Sequence, residues 1–377
     1  MIKRTLEDKI RESLAKFPTI TLLGPRQSGK TTLLKNLFPD FIYKNLENPT
    51  QRELATNDPI SFLESETTLI IDEVQRCPEL LSYIQTIVDS SKRKFILTGS
   101  HQLLLSEKIS QSLAGRTRIF ELLPFSYGEI QSLDLSLDEL ILKGGYPRIY
   151  NENLSSYEWL SQYIQTYIEK DVRQLLNIGD LLVFERFLKI LAGRVGQSIN
   201  YSNLANDVGI KSPTASSWVS ILSVSYITFL LPPYFQNFTK RYIKAPKLYF
   251  YDTGLLCALL GIRTQEHLKS HPLVGFIFEN FVVSEFMKKR IHAGERPDLF
   301  YYRDQNKVEV DLIFENGNDL ELFEVKYGKT FQSEWLKGIE FLKNQETKKI
   351  QSHIIYTGDE RFSHKGTLVR SWKSIHE

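Results

Sequence analysis

The stretch Gly24-Pro25-Arg26-Gln27-Ser28-Gly29-Lys30-Thr31 is a complete G-x-x-x-x-G-K-[ST] phosphate-binding loop, and its setting decides the fold. Ile20-Thr21-Leu22-Leu23 before it reads as a short apolar strand, and Thr32-Leu33-Leu34-Lys35-Asn36-Leu37-Phe38 continues as a helix. In that frame the glycines let backbone N–H groups turn inward around the α/β-phosphates, and the helix N-terminus adds partial positive charge. Lys30 is expected to reach the β/γ-phosphates and the Thr31 hydroxyl to ligate Mg²⁺. Gly24, Pro25, Arg26, Gln27, Ser28, Gly29 and Thr32 complete the expected cradle, with ATP and Mg²⁺ as its ligands.

Working outward, Pro18 to about Leu123 alternates short apolar strands with helical stretches, the α/β pattern of a parallel sheet with crossover helices. The expected strands are Ile20–Leu23, Phe41–Asn45, Thr68–Ile71, Phe95–Thr98 and Arg118–Leu122. Thr68-Leu69-Ile70-Ile71-Asp72-Glu73 ends in two carboxylates and is expected to neighbour the loop's strand. Asp72 suits holding the metal, and Glu73 suits orienting an attacking water. At the end of the next strand, Thr98 or Ser100 is either a γ-phosphate sensor or a simple strand-end hydrogen bonder. Arg116, in Leu113-Ala114-Gly115-Arg116, is the arginine-finger candidate, acting in its own subunit or on a neighbour, with Arg118 as competitor.

A length of 377 residues suits two or three domains. A net charge of +2 makes no case for nucleic acid from bulk charge, so any such case rests on local patches. Cys77 and Cys257 stand far apart with no paired spacing, which argues against a zinc site or disulfide scaffold. There is no signal-peptide core and no apolar run of membrane-spanning length, so a cytoplasmic protein without a membrane partner is expected.

Composition shifts divide the chain into an ATPase core (1–123), a helical lid (124–180), a winged-helix-like segment (181–262) and a C-terminal α/β domain (263–377). In the third, Tyr201–Val208 and a helix opened by Ser212 and Pro213 make a helix-turn-helix pattern. Lys211, Ser212, Thr214, Ser216, Ser217 and Trp218 surround its second helix, and Lys240, Arg241, Lys244 and Lys247 cluster in the expected wing. Such residues suit groove and phosphate contacts with DNA, while the same fold also serves protein docking. In the last domain Glu279, Asp311, Glu324 and Lys326 follow an E…D-x₁₂-E-x-K order on a helix and two strands joined by a Glu315-Asn316-Gly317-Asn318 turn. Two carboxylates there could hold Mg²⁺, with Lys326 orienting water; a salt-bridge cluster is the other reading.

Gly24–Thr32, Asp72-Glu73-Val74-Gln75-Arg76, Leu97-Thr98-Gly99-Ser100 and Leu113-Ala114-Gly115-Arg116 together resemble the prokaryotic AAA-type ATPases with an uncharacterised C-terminal domain. Gly144-Gly145-Tyr146-Pro147, Lys247 to Leu255 and Phe278-Glu279-Asn280-Phe281 extend the resemblance over nearly the whole chain. It implies an AAA-like module, a winged-helix-like middle and a restriction-endonuclease-like C-terminal fold. No second-sensor arginine is identified, and a homo-oligomer is one expectation. The last constellation resembles the PD-(D/E)XK nucleases, especially junction-resolving ones, which implies forked or branched DNA as partner. The function expected is ATP-driven DNA binding or remodelling, with the C-terminal fold either a metal-dependent nuclease or a binding module; the alternative is an ATP-dependent switch acting on a protein partner, with the nuclease-like fold inactive.

Overall fold

The computed structural model describes residues 2–100, 112–167, 180–234 and 245–377. Among the described residues three sheets form. The first comprises β1 (Thr19–Leu23), β2 (Ile42–Asn45), β3 (Leu69–Asp72), β4 (Phe95–Gly99) and β5 (Thr117–Glu121), in the order β2-β3-β4-β1-β5. Every pairing is parallel. Strands β1, β3 and β4 are buried along their whole length, as a sheet covered on both faces requires. Ile20, Leu22, Ile70 and Ile96 face Leu6, Ile10 and Leu14 of the Glu7–Lys16 helix and Leu33, Leu34 and Leu37 of the Lys30–Leu37 helix. The alternate residues Leu23, Ile71 and Leu97 face the main core.

One expectation about strand order is corrected. Strand β3 does not neighbour β1, because β4 lies between them and pairs Leu97 with Thr21 on one side and Ile71 on the other. Thr98 is thereby placed between the phosphate loop and the two carboxylates.

The middle of the chain has the helices Tyr201–Val208 and Ser212–Val224 and an antiparallel hairpin of β6 (Thr228–Leu231) and β7 (Lys247–Phe250). A wing would project into solvent; this hairpin is buried instead. Residues beyond β6 run onto the C-terminal sheet, where Tyr234 N donates to Tyr301 O (2.6 Å) and Tyr301 N to Pro232 O (3.0 Å). Trp218, expected at a groove-facing surface, is also buried. Its ring packs edge-on against Phe184 (4.9 Å) and Phe187 (5.1 Å), because the second helix turns its aromatic face to the Leu181–Ala192 helix.

The third sheet has the order β12-β13-β11-β10-β9-β8. Its strands are β8 (Leu299–Arg303), β9 (Glu309–Asn316), β10 (Asp319–Lys326), β11 (Lys349–Tyr356), β12 (Phe362–His364) and β13 (Thr367–Ser371). The 19-residue helix Val274–His292 precedes β8, three antiparallel strands follow, and the Lys337–Lys343 helix leads into the parallel strand β11. The long helix is buried on most sides, including Glu279, Asn280, Glu285, Lys288 and His292. One continuous hydrophobic core runs from Leu23 of the first sheet through the middle helices to Ile375, so the segments share packing rather than standing apart. No described helix is long and apolar enough to cross a membrane.

Candidate nucleotide site and acidic cluster

The phosphate loop leaves β1 at Gly24, whose φ of +149° and close approach to β5 admit no side chain: a Cβ would lie 2.2 Å from Leu122 O. The loop then enters the Lys30–Leu37 helix, whose first N–H groups have no partners within the helix. Lys30 is buried and folds back on the loop, donating to Gly24 O (2.9 Å) and Pro25 O (2.8 Å). Burial lowers its pKa against the opposing pull of Glu73 and Asp72. The Ser28 hydroxyl is buried in the loop without a hydrogen-bond partner.

Asp72 gathers three hydroxyls. Thr31 Oγ1 (2.7 Å) and Tyr43 OH (2.5 Å) donate to its Oδ2, and Thr98 Oγ1 donates to its Oδ1. Glu73 follows in the left-handed region at φ +56°, a conformation that costs a non-glycine residue about 1–2 kcal/mol. Its Oε2 accepts from Ser100 Oγ (3.0 Å) and from Gln75 Nε2. The strand-end hydroxyls are therefore divided, Thr98 holding one acid and Ser100 the other. Neither Tyr43 nor Gln75 is assigned a site role from the sequence; Gln75 stands within the Asp72-Glu73-Val74-Gln75-Arg76 motif, and Tyr43 is fixed only by the β2–β3 pairing. A hydroxyl beside a carboxylate is the hard oxygen set that Mg²⁺ takes together with phosphate oxygens, so Thr31 and Asp72 fit that ion.

A cavity of about 490 Å³ opens over the loop, lined by Arg26, Lys30, Thr31 and Glu73 below and by Pro147 and Arg148 opposite. Arg148 is the second residue of the short Pro147–Asn151 helix that opens at the end of Gly144-Gly145-Tyr146-Pro147, and it pairs with Glu152 at 3.0 Å. Its position directly after that motif was the signal available in the sequence. The motif itself is a joint: Asp252 Oδ2 accepts from Gly145 N (2.6 Å) and Asp252 Oδ1 from Leu255 N (2.8 Å). Gly144, at φ +65°, passes so close that a Cβ would lie 2.2 Å from Asp252 Oδ1. Arg26 turns toward Glu47 (3.7 Å), which also faces Arg76 (3.6 Å).

Arg116 is corrected as a finger for its own subunit. It precedes β5, at the sheet edge opposite the phosphate loop, and its carbonyl accepts from Thr19 N (3.2 Å). One five-residue strand separates the two edges, roughly 15 Å. The guanidinium grips Asp89 by two hydrogen bonds of 2.6 and 2.9 Å. Any finger role is left to a second copy. Arg118, its competitor, donates to Gly294 O (2.8 Å).

A buried polar network ties the loop to the C-terminal half. Arg4, 5% exposed, donates to Ser28 O (3.0 Å), Leu123 O (2.6 Å) and Glu129 Oε1 (3.0 Å). Glu129 Oε2 faces His292 Nδ1 of the long helix at 3.5 Å, and His292 Nε2 accepts from Leu123 N (3.2 Å). Burial pushes the His292 imidazole down to about 4, Glu129 opposing and Arg4 reinforcing the shift, so it is neutral at physiological pH.

In the C-terminal domain Asp311, Glu324 and Lys326 converge across the β9–β10 pair. Lys326 Nζ lies 2.6 Å from Glu324 Oε1 and 3.6 Å from Asp311 Oδ2, which also accepts from Val325 N (2.8 Å). Burial, then Asp311, pushes the Glu324 carboxyl up to about 8. Glu279 is engaged differently, accepting from Lys247 Nζ (2.9 Å) and Tyr249 OH (2.6 Å) at one oxygen. Lys247 is thus no wing residue; it is 2% exposed and points into this cluster. Lys211 is exposed and Ser212 and Thr214 half-buried, while Lys240, Arg241 and Lys244 lie outside the described residues.

Residues 16–131 match the family model of an AAA domain, 134–266 a domain of unknown function (DUF8612) and 274–374 another (DUF4143). The chain is 31% identical to the uncharacterized protein Rv2008c of Mycobacterium tuberculosis, covering 97% of this chain and 82% of that one. It is 27% identical to the uncharacterized protein MJ1544 of Methanocaldococcus jannaschii, covering 99% and 90%. Among solved structures, the Walker-type ATPase paby2304 of Pyrococcus abyssi is similar at TM-score 0.46 and 17% identity over 69% of this chain and 96% of that one. The Aeropyrum pernix ORC1 protein in complex with DNA is similar at TM-score 0.30 and 14% identity over 68% and 92%. The chain belongs to the protein family of Rv2008c, and its first third is an AAA-type P-loop ATPase domain.

Proposed function

We propose that the protein is an ATP hydrolase whose nucleotide state sets the posture of its C-terminal half. The observation that carries this reading is the convergence at one end of the parallel sheet of Lys30, Thr31 and Glu73, which line one cavity, with Asp72 and Thr98 buried behind them and Asp72 bonded to Thr31 and Thr98. Lys30 leaves the Gly24 and Pro25 carbonyls for the β- and γ-phosphates. Thr31 and Asp72 would hold Mg²⁺, which when bound would offset the charge of the phosphates. Glu73 orients the attacking water while Ser100 and Gln75 fix its carboxylate. Arg148, across the cavity, supplies a cation to the γ-phosphate from the lid side. A shift of the loop is passed through Arg4 and Glu129 to His292, and so to the long helix.

A second reading, with DNA as the partner, is favoured by Lys211, exposed at the start of the Ser212–Val224 helix and followed by Ser212 and Thr214. Trp218 and Lys247 no longer contribute to it. One assay separates the readings: ATP turnover by the full chain alone and with duplex, forked and branched DNA. Turnover that Glu73→Gln suppresses supports the hydrolase, and no turnover under any condition refutes it. Stimulation by DNA that Lys211→Glu removes supports the second reading; indifference to every DNA leaves a switch acting on a protein partner.

A further inference from the structure

The acidic cluster is already occupied by a cation of the chain's own. Lys247 enters from β7, outside the C-terminal sheet. Its Nζ lies 2.9 Å from Glu279 Oε1 and 3.8 Å from Asp311 Oδ1, and it also pairs with Glu309 Oε1. The ring of Tyr301 lies 5.5 Å from the ammonium, closing the site on another side. Lys326 supplies a second ammonium to Asp311 and Glu324. Two lysines thus partner four carboxylates. A divalent metal needs carboxylate oxygens converging at about 2.0–2.6 Å on one point. Among the described residues no group of three or more acidic, histidine or cysteine side chains is spaced to hold a metal ion.

We propose that Lys247 is the resident cation of this cluster and excludes a divalent metal from it. The C-terminal domain is then a charge-locked joint with the β6–β7 hairpin, and not a metal-dependent nuclease centre. An ammonium and a divalent ion cannot both sit against Glu279 and Asp311, since like charges a few ångströms apart in a dry site repel strongly. The strand that carries Lys247 is built into the same joint. Tyr249 OH donates to Glu279, Phe250 N donates to Asn280 Oδ1 (2.7 Å), and Asn280 Nδ2 donates to Phe250 O (3.1 Å). These bonds hold β7 against the long helix at the point where Lys247 enters the acids.

The test is a Mn²⁺ titration of the full chain without nucleotide, read by electron paramagnetic resonance. The unsubstituted protein and Asp311→Asn are expected to bind Mn²⁺ alike. Lys247→Ala is expected to gain one site, at least tenfold tighter than any in the unsubstituted protein, which Lys247→Ala with Asp311→Asn loses again. A Mn²⁺ site in the unsubstituted protein that Asp311→Asn abolishes overturns the proposal, as does a folded Lys247→Ala that gains none. Should Lys247→Ala not fold, the comparison of the unsubstituted protein with Asp311→Asn decides alone.

Discussion

Replacing Arg4 by Met keeps most of the aliphatic stem and removes the charge that joins the phosphate loop to Glu129. Three hydrogen bonds are lost, to Glu129 Oε1, Ser28 O and Leu123 O, from a side chain only 5% exposed. Glu129 is left buried with a neutral histidine beside it. Removing one partner of a buried ion pair costs about 3–5 kcal/mol, a large share of the roughly 5–15 kcal/mol by which a domain is stable. The Ser28 carbonyl also loses its anchor. If half of a charged hydrogen bond worth about 3 kcal/mol is expressed in binding, ATP affinity falls about tenfold. The assay is urea unfolding by tryptophan fluorescence together with nucleotide titration, for Arg4→Met, Glu129→Gln and the pair. The double variant should lose much less than the sum of the singles, because the orphaned charge is gone. Losses within about 1 kcal/mol for Arg4→Met, adding simply to those of Glu129→Gln, would refute the reasoning.

Glu73→Gln should bind ATP within a few-fold of the unsubstituted protein and turn it over about 10²–10⁴-fold more slowly in a phosphate-release assay. Arg116→Ala should leave ATP affinity unchanged within twofold at dilutions that keep the chain monomeric, since Arg116 lies a full five-residue strand, roughly 15 Å, from the loop and its guanidinium is bonded to Asp89. His292 titrates at about 4 when folded against an ordinary 6.5, so the unfolded chain takes up its proton first. Its contribution is complete above about pH 6.5 and falls as pH drops toward 4, by at most about 3 kcal/mol; His292→Leu should flatten urea midpoints over pH 7 to 5. Gly144→Ala should cost about 2–4 kcal/mol through its clash with Asp252, whereas Gly366→Ala, also at positive φ but with open space around it, should cost about 1 kcal/mol by urea unfolding.

The parallel sheet and both candidate sites were legible as residues, but much less so as geometry. Strands β1 to β5 announce themselves as short apolar runs between helical stretches, and Asp72 and Glu73 stand at the end of one. Strand order was hidden, because β4 enters between β1 and β3 by pairing over long distances. Lys247 shows the same limit more sharply. Beside Lys240, Arg241 and Lys244 it reads as part of a basic surface, and only the fold brings Glu279, Glu309 and Asp311 around it. Arg116 fits a finger by its place before a strand, yet that place is the wrong edge for its own loop. Strands β12 and β13 both escaped reading, β12 because three residues, Phe362–His364, carry too little pattern to register.

The Arg4 network has a consequence for the order in which the protein is made. Arg4 is synthesised 125 residues before Glu129, and His292 follows Leu123 by 169 residues, roughly 10–30 s of translation. Until the long helix emerges, Leu123 N has no imidazole to receive it and Glu129 has no closed surroundings. The Arg4 bonds to Ser28 O, Leu123 O and Glu129 are complete within the first 129 residues, so the phosphate loop is tied to the sheet before the long helix is made. What waits for the long helix is the His292 half of the network: the bond from Leu123 N and the cover over Glu129.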